Sequence, residues 1–341
     1  MTHLMRSIGG TLACALALGS GVGATPGPTY GVYLRLADGP AGSYHAMLEA
    51  MPALAERAGM PLLATLPVAT GGCRFQATVF VLQSPAWAGQ VTAAGRHGAF
   101  AAPIRLAVFE DEAGTHLALA NPQSLARTIV GEDFDGPAGE VVAALTAAVR
   151  AGFPGTPVAE PYGQLRDRGL IGKTMGIVAG GPFPSKVEEV ARVKATAALN
   201  LEALTLAIAE VGRRPTTRWG LRLAYHTPLP DGAELLGFTG AAMEARSFAI
   251  VGAGGNPARE GYACAGLDHA PAYPLELLVA REGGDLVVLV TDVMFRMKLY
   301  FEDAGTMKFA ANMAMPGSIE DELRDRVDEA LENLQDRLAA H

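Results

Sequence analysis

His97 and His269 each stand a few residues before a proline and an apolar run, and an imidazole placed there could ligate a metal or haem or act as a base. Neither has a second histidine at i+2 or i+4 to make a local ligand pair, so both also fit as strand-entry residues without chemistry. Met294, Met297, Met307, Met313 and Met315 fall in one short stretch. Thioether sulfur is a soft ligand suited to Cu(I), yet Phe295, Leu299 and Phe301 beside them give the same methionines an ordinary place in a core. Gly252-Ala253-Gly254-Gly255-Asn256 follows an apolar run as a phosphate-binding turn would, but Pro257 stands where G-x-G-x-x-G needs its last glycine, and a tight turn is the reading. Asp111-Glu112 and Asp133 with Asp135 are acidic pairs at turns, suited to Ca²⁺ or acid–base work and equally to solvated loops. The chain has no G-x-S-x-G, H-E-x-x-H or C-x-x-C, which disfavours the common hydrolases, zinc proteases and thiol redox enzymes.

These residues recur in a repeated frame. The stretch from Ser247 to Asp292 carries an apolar run, Asn256-Pro257, His269, Pro274 and two strands around Gly283-Gly284. An earlier stretch holds Ser84-Pro85, His97, Pro103 and Gly114 in the same order. Pro85/Pro257 and His97/His269 are offset by 172 positions and Pro103/Pro274 by 171, so a one-residue slip aligns the unit as a duplication.

The elements that must position these residues follow from periodicity and punctuation. In the first repeat, 30–36, 62–69 and 75–82 read as strands, 43–58 and 87–94 as helices, and 104–110 with 116–120 as a hairpin before a helix over 137–151. Residues 152–161, with three prolines, read as a linker. In the second repeat, 170–178, 219–225 and 248–252 read as strands, 184–212 as one long helix opened by Ser185 and Glu188, and 275–279 with 286–290 as the hairpin. A helix over 293–302 and a last helix capped by Ser318 close the chain, the latter with Ile319, Leu323, Val327, Leu331, Leu334 and Leu338 on one stripe. Strands in β-β runs predict an α+β fold of two repeated β-α-β-β-α-β-β-α domains, with antiparallel-rich sheets and helices packed on one face.

The first two dozen residues read differently. Arg6, the apolar stretch from Ile8 to Leu18 and Val22-Gly23-Ala24 make a Sec-type signal peptide cleaved after Ala24, and hence a periplasmic or secreted protein. The domain plan is therefore signal peptide 1–24, repeat one 25–151, linker 152–161 and repeat two 162–341 with a C-terminal helical extension. Beyond the leader no stretch is apolar for long enough to span a bilayer. At 341 residues the chain can bury two cores, and 27 basic against 35 acidic residues, net −8 without a basic cluster, argue against a nucleic-acid surface. Cys73 and Cys264 remain after the leader; two buried free thiols are favoured over a bridge, because the pair occupies non-equivalent places in the repeats.

The repeated unit resembles the bacterial family catalogued as domain of unknown function 302. Gly252, Gly255, Asn256-Pro257, Asp268, Tyr273-Pro274 and Leu277-Leu278-Val279 carry the likeness in the second repeat; Ser84-Pro85, Ala102-Pro103 and Leu106-Ala107-Val108 carry it in the first. The resemblance implies a layered sheet-and-helix fold and no established reaction. Where that family often has cysteine after the proline, Ile104 and Leu275 stand here, so no thiol or metal role transfers. The combined expectation leans away from an enzyme: an exported protein that binds a small molecule or a protein partner at the cleft between its repeats. The candidate residues are His97, His269, Asn256, Asp268 and Tyr273, and no cofactor is required. The alternative is a soft-metal, Cu(I), or haem-handling protein using the five methionines with a histidine. A pseudo-dimer of repeats within a monomer is the economical assembly.

Overall fold

The computed structural model describes residues 30–163, 182–254, 260–264, 266–301, 304, 307 and 311–340. The leader, the expected strand 170–178 and Asn256-Pro257 lie outside these residues. The fold is α+β, built on two antiparallel sheets.

The first sheet takes β1 (Tyr33–Gly39), β2 (Leu62–Pro67), β3 (Ala77–Gln83), β4 (Pro103–Asp111), β5 (Gly114–Ala120) and β6 (Thr156–Tyr162) in the order β2-β3-β4-β5-β1-β6. Strands β3, β4 and β5 are apolar and buried nearly end to end, which requires cover on both faces of the sheet. Asp111 Oδ1 closes the β4–β5 turn by accepting the N–H groups of Ala113 (2.7 Å) and Gly114 (3.2 Å). Helices α1 (Tyr44–Arg57), running through Pro52, and α4 (Asp135–Arg150) back the sheet, while α2 (Pro85–Ala93), a 3₁₀ turn (Arg96–Ala101) and α3 (Pro122–Ile129) connect its strands. Ser84 caps α2 and Asn121 caps α3 through their side-chain oxygens, each just before a proline that starts the helix with its φ already set. The expected linker is corrected here: residues 156–162 pair with β1. Pro157 and Pro161 are tolerated because β6 is an edge strand, where a missing N–H on the solvent side costs no ladder bond.

The second sheet takes β7 (Val187–Lys194), β8 (Leu221–Pro228), β9 (Glu234–Gly240), β10 (Leu275–Glu282) and β11 (Asp285–Thr291) in the order β7-β11-β10-β9-β8. Its helices are α5 (Leu201–Gly212), α6 (Ala241–Gly252), α7 (Val293–Phe301) and α8 (Ala314–Ala339), with a second long 3₁₀ turn at Leu267–Ala272. Three expectations are corrected. The helix expected over 184–212 divides into a 3₁₀ turn (Phe183–Lys186), strand β7 and helix α5; Ser185 Oγ donates to the Pro182 carbonyl instead of capping a helix, and the ladder to β11 overrides the helix-forming Glu, Arg and Lys of β7. The strand expected over 248–252 is the end of α6. The last helix starts at Ala314, placing Ser318 inside it, where its hydroxyl donates to the Met315 carbonyl.

Setting β6 aside, the two sheets have one topology: β2-β3-β4-β5-β1 repeats as β8-β9-β10-β11-β7, with helices inserted at the same junctions. The 3₁₀ turns begin 171 positions apart (267 − 96), and the hairpin turns keep that offset, but β3 and β9 begin only 157 apart (234 − 77). The added residues lie between α6 and the second 3₁₀ turn and include Cys264. Pro85, which opens α2, therefore corresponds to the start of α6 near Ala241, and the Pro85/Pro257 equivalence is withdrawn. The histidines are not equivalent either. His97 corresponds to Asp268, and His269 corresponds to Gly98, where a Cβ would sit 1.8 Å from the Val91 carbonyl oxygen. No side chain fits there, so the imidazole belongs to the second half alone.

Candidate functional site between the halves

The halves meet through charge. Arg105, central in β4, and Glu276, central in β10, occupy equivalent positions by the 171 offset and touch each other, Arg105 Nη1 donating to Glu276 Oε1 at 3.0 Å. Arg296 of α7 donates to the other carboxylate oxygen at 2.9 Å. Both guanidinium groups also reach the carbonyls of Ala272 and Pro274, and Arg105 donates to the Tyr300 hydroxyl. Arg105 and Glu276 are 1% exposed, so the cluster is wholly within the protein. The Tyr300 ring lies under both cations, 5.0 Å from Arg105 and 4.8 Å from Arg296. Burial favours the neutral form of Arg105, but Tyr300 and Glu276 outweigh it and keep the guanidinium charged. Tyr225 is buried alongside, and desolvation followed by the Glu276 charge holds its phenol well above the usual range. No motif drew attention to this cluster in the sequence. The available signal was a charge interrupting an apolar strand at the same place twice, Ile104-Arg105-Leu106 and Leu275-Glu276-Leu277, with opposite signs.

Of the candidate residues, the structure brings Asp268, His269 and Tyr273 together and leaves His97 in the other half's 3₁₀ turn. His269 is fully buried, its Nδ1–H directed at Asp268 Oδ1 2.8 Å away, its ring stacked on Phe301 (5.6 Å) and edge-on to Tyr33 of β1 (5.2 Å). Tyr162 of β6 donates to the Asp268 carbonyl at 2.6 Å, and Tyr33 donates to the Tyr300 carbonyl at 2.9 Å, so this turn is seated on the first sheet. Tyr273 is buried and donates to Ser247 Oγ at 2.5 Å; burial first, opposed by that hydrogen bond, pushes its phenol up. His97 is half-buried, and burial, then the neighbouring Arg96, depresses its imidazole. Asn256 lies outside the described residues. The methionines occupy unlike surroundings: Met297 and Met315 are buried, Met294 is half-buried, and Met307 and Met313 are exposed.

Cys73 and Cys264 form a disulfide, with Cα atoms 5.8 Å apart, across a separation of 191 residues. The preference for free thiols is corrected: the inserted segment between α6 and the second 3₁₀ turn brings Cys264 to the β2–β3 loop. Beside the bridge an open groove of about 570 Å³ runs between the halves. Phe248 and Leu267 are its buried apolar floor, Ala245 and Ala249 line it from α6, and Thr70, Arg74 and Tyr262 stand at its polar rim. The loop on the first-half side is held from the second half by Glu244 of α6, whose Oε2 accepts the Ala69 N–H at 2.7 Å while Thr239 donates to its other oxygen. Burial raises the Glu244 carboxyl in spite of those two bonds. On the other side Glu112, in the β4–β5 turn, accepts the Ala263 N–H at 2.8 Å. The groove therefore has a rigid frame: one covalent link and two carboxylate clasps crossing from half to half.

Two further titratable clusters stand outside the groove. His116 of β5 lies between Asp38 Oδ1 (2.6 Å) and Asp111 Oδ1 (3.0 Å); burial would depress its imidazole, but the bonds to Asp111 and Asp38 outweigh burial and raise it. Glu188, Asp292 and Glu320 have carboxylate oxygens within 4.8 Å of one another, with Arg324 3.3 Å from Glu320. Burial, then the hydrogen bond and charge of Glu188, push the Glu320 carboxyl up to about 7. Asp292 there caps α7 by accepting the N–H groups of Met294 (2.7 Å) and Phe295 (3.1 Å), the counterpart of Asn121 before α3.

Among the described residues no helix is long and apolar enough to cross a membrane. No family model matches the sequence, and no curated protein matches it. Among solved structures, the chain is similar to an uncharacterized conserved protein DUF302 from Bacillus stearothermophilus, at 14% identity, over 36% of this chain and 95% of that one, with a TM-score of 0.31. The residues around Asp268 and Tyr273-Pro274 resemble that same family.

Proposed function

We propose that this is an exported, non-enzymatic binding protein whose duplicated halves close a ligand groove beside the Cys73–Cys264 bridge. The observation that carries the proposal is the groove itself, lined from both halves and framed by a covalent link between them. Ligand sites favour such interfaces, with an apolar floor for affinity and a few polar groups for orientation. The bridge supports export, since disulfides persist in oxidising compartments and are rare in the cytosol. The signal-peptide reading of residues 1–24 points the same way.

The test is a thermal-shift screen of small amphipathic metabolites against the oxidised protein and an Ala249→Trp variant. Ala249 is exposed on α6, so the indole fills the groove without disturbing the core. A true ligand raises the melting temperature of the parent as its concentration rises above Kd and leaves the variant unmoved. Equal shifts in both proteins place binding elsewhere and refute the groove.

A further inference from the structure

The Cys73–Cys264 bridge is more than a staple. Both cysteines are half-buried and line the groove, within reach of a small molecule. Their surroundings differ. The Phe75 N–H donates to Cys73 Sγ at 3.2 Å, and no such donor to Cys264 Sγ stands among the described residues. A donated hydrogen bond favours thiolate over thiol. We propose that the bridge is an exchange site for small thiols, with Cys264 as the attacked sulfur and Cys73 as the leaving group.

An incoming thiolate attacks Cys264 Sγ from the groove, forming a new sulfur–sulfur bond as the Cys264–Cys73 bond breaks, and the electron pair departs on Cys73 as thiolate. A second thiol attacks the mixed disulfide at the external sulfur, releasing Cys264. Two thiols are oxidised to one disulfide, the protein gains two thiol groups, and solvent balances the protons. Leaving-group stability governs which sulfur departs, and the Phe75 amide is aimed at Cys73. Glycines with positive φ stand beside both cysteines, Gly71 (+64°) and Gly72 (+89°) before Cys73 and Gly261 (+83°) and Gly266 (+112°) around Cys264. After cleavage, the hydrogen bond from the Ala263 N–H to Glu112 remains as a tie between the inserted segment and the first sheet.

The experiment uses the oxidised full chain and reduced glutathione as probe, quenched with acid, trapped with N-ethylmaleimide and mapped by peptide mass spectrometry. The expected product is glutathione on Cys264 with the maleimide on Cys73, in roughly tenfold excess over the reverse. Phe75→Pro, which removes the donor, should slow exchange by roughly fivefold and erode that preference, the change one hydrogen bond to a developing thiolate supports. Where that variant does not fold, the parent's adduct ratio still decides. Adducts divided equally between the cysteines, or a bridge inert to glutathione until urea is added, overturn the proposal. Neither result bears on ligand capture by the groove, which the Ala249→Trp comparison tests separately.

Discussion

Replacing Glu276 by alanine tests the contact between the halves most severely. The carboxylate is 1% exposed and serves two guanidinium groups, Arg105 at 3.0 Å and Arg296 at 2.9 Å. Without it, two like charges face each other in a medium too dry to screen them, and each loses its charged acceptor. Removing one partner of a buried ion pair costs about 3–5 kcal/mol, and a carboxylate shared by two cations belongs at the upper end. Arg105→Met behaves differently: methionine refills the stem volume, Glu276 keeps Arg296, and the Ala272 and Pro274 carbonyls keep Arg296 as donor. Its expected cost is about half as large. Urea unfolding monitored by tryptophan fluorescence, with each variant compared at equal m-value, gives both numbers. The reasoning fails if Glu276→Ala costs less than Arg105→Met, since the cluster would then not depend on a shared anion.

Three other outcomes follow. His116 has its folded-state pKa raised above the ordinary 6.5, so its ion pairs with Asp38 and Asp111 contribute fully below that value and the contribution is lost as pH rises through the raised pKa; the stability difference between parent and His116→Gln should shrink across that window, and a constant difference contradicts the assignment. The Glu320 carboxyl, at about 7 in the fold against 4.5 unfolded, contributes below 4.5 and loses that contribution as pH rises toward 7, so Glu320→Gln should gain stability relative to the parent on the alkaline side, and pH-independent behaviour of the pair refutes it. Reducing the bridge releases a loop constraint of 191 residues, an entropic effect of up to about 5 kcal/mol, visible as a lower urea midpoint; an unchanged midpoint would mean that the inserted segment is held without its covalent link.

Much of the fold was legible where pattern and length agreed. The β4–β5 and β10–β11 hairpins read correctly because apolar runs of strand length flank short turns, Glu112-Ala113-Gly114 and Gly283-Gly284. The run Phe248-Ala249-Ile250-Val251 misled because four apolar residues suit either period, and the helix it completes begins upstream at Ala241. The Ser185–Glu188 spacing suggests a helix through Val187–Lys194, which is a strand instead because β11 offers it a ladder edge. The candidate site was less accessible. Asp268 and His269 touch the first half through Tyr162 and Tyr33, while Tyr273 packs on Ser247, Phe248 and Phe301 of its own half, and none of these contacts is local in sequence. Nothing local announces that Cys73 and Cys264 meet, because the insertion that joins them also breaks the repeat's register. Arg105 and Glu276 show as a pair only once the offset of 171 is known.

The most direct test of the account is the state of the two cysteines in protein recovered from cells expressing the full chain, alkylated before any reductant is added and mapped without reduction. The account predicts one cross-linked species joining the Cys73 and Cys264 peptides, in a mature chain whose first residue lies near Thr25. Both peptides recovered separately, each carrying the alkylating group, would contradict the covalent frame of the groove and the export that it supports.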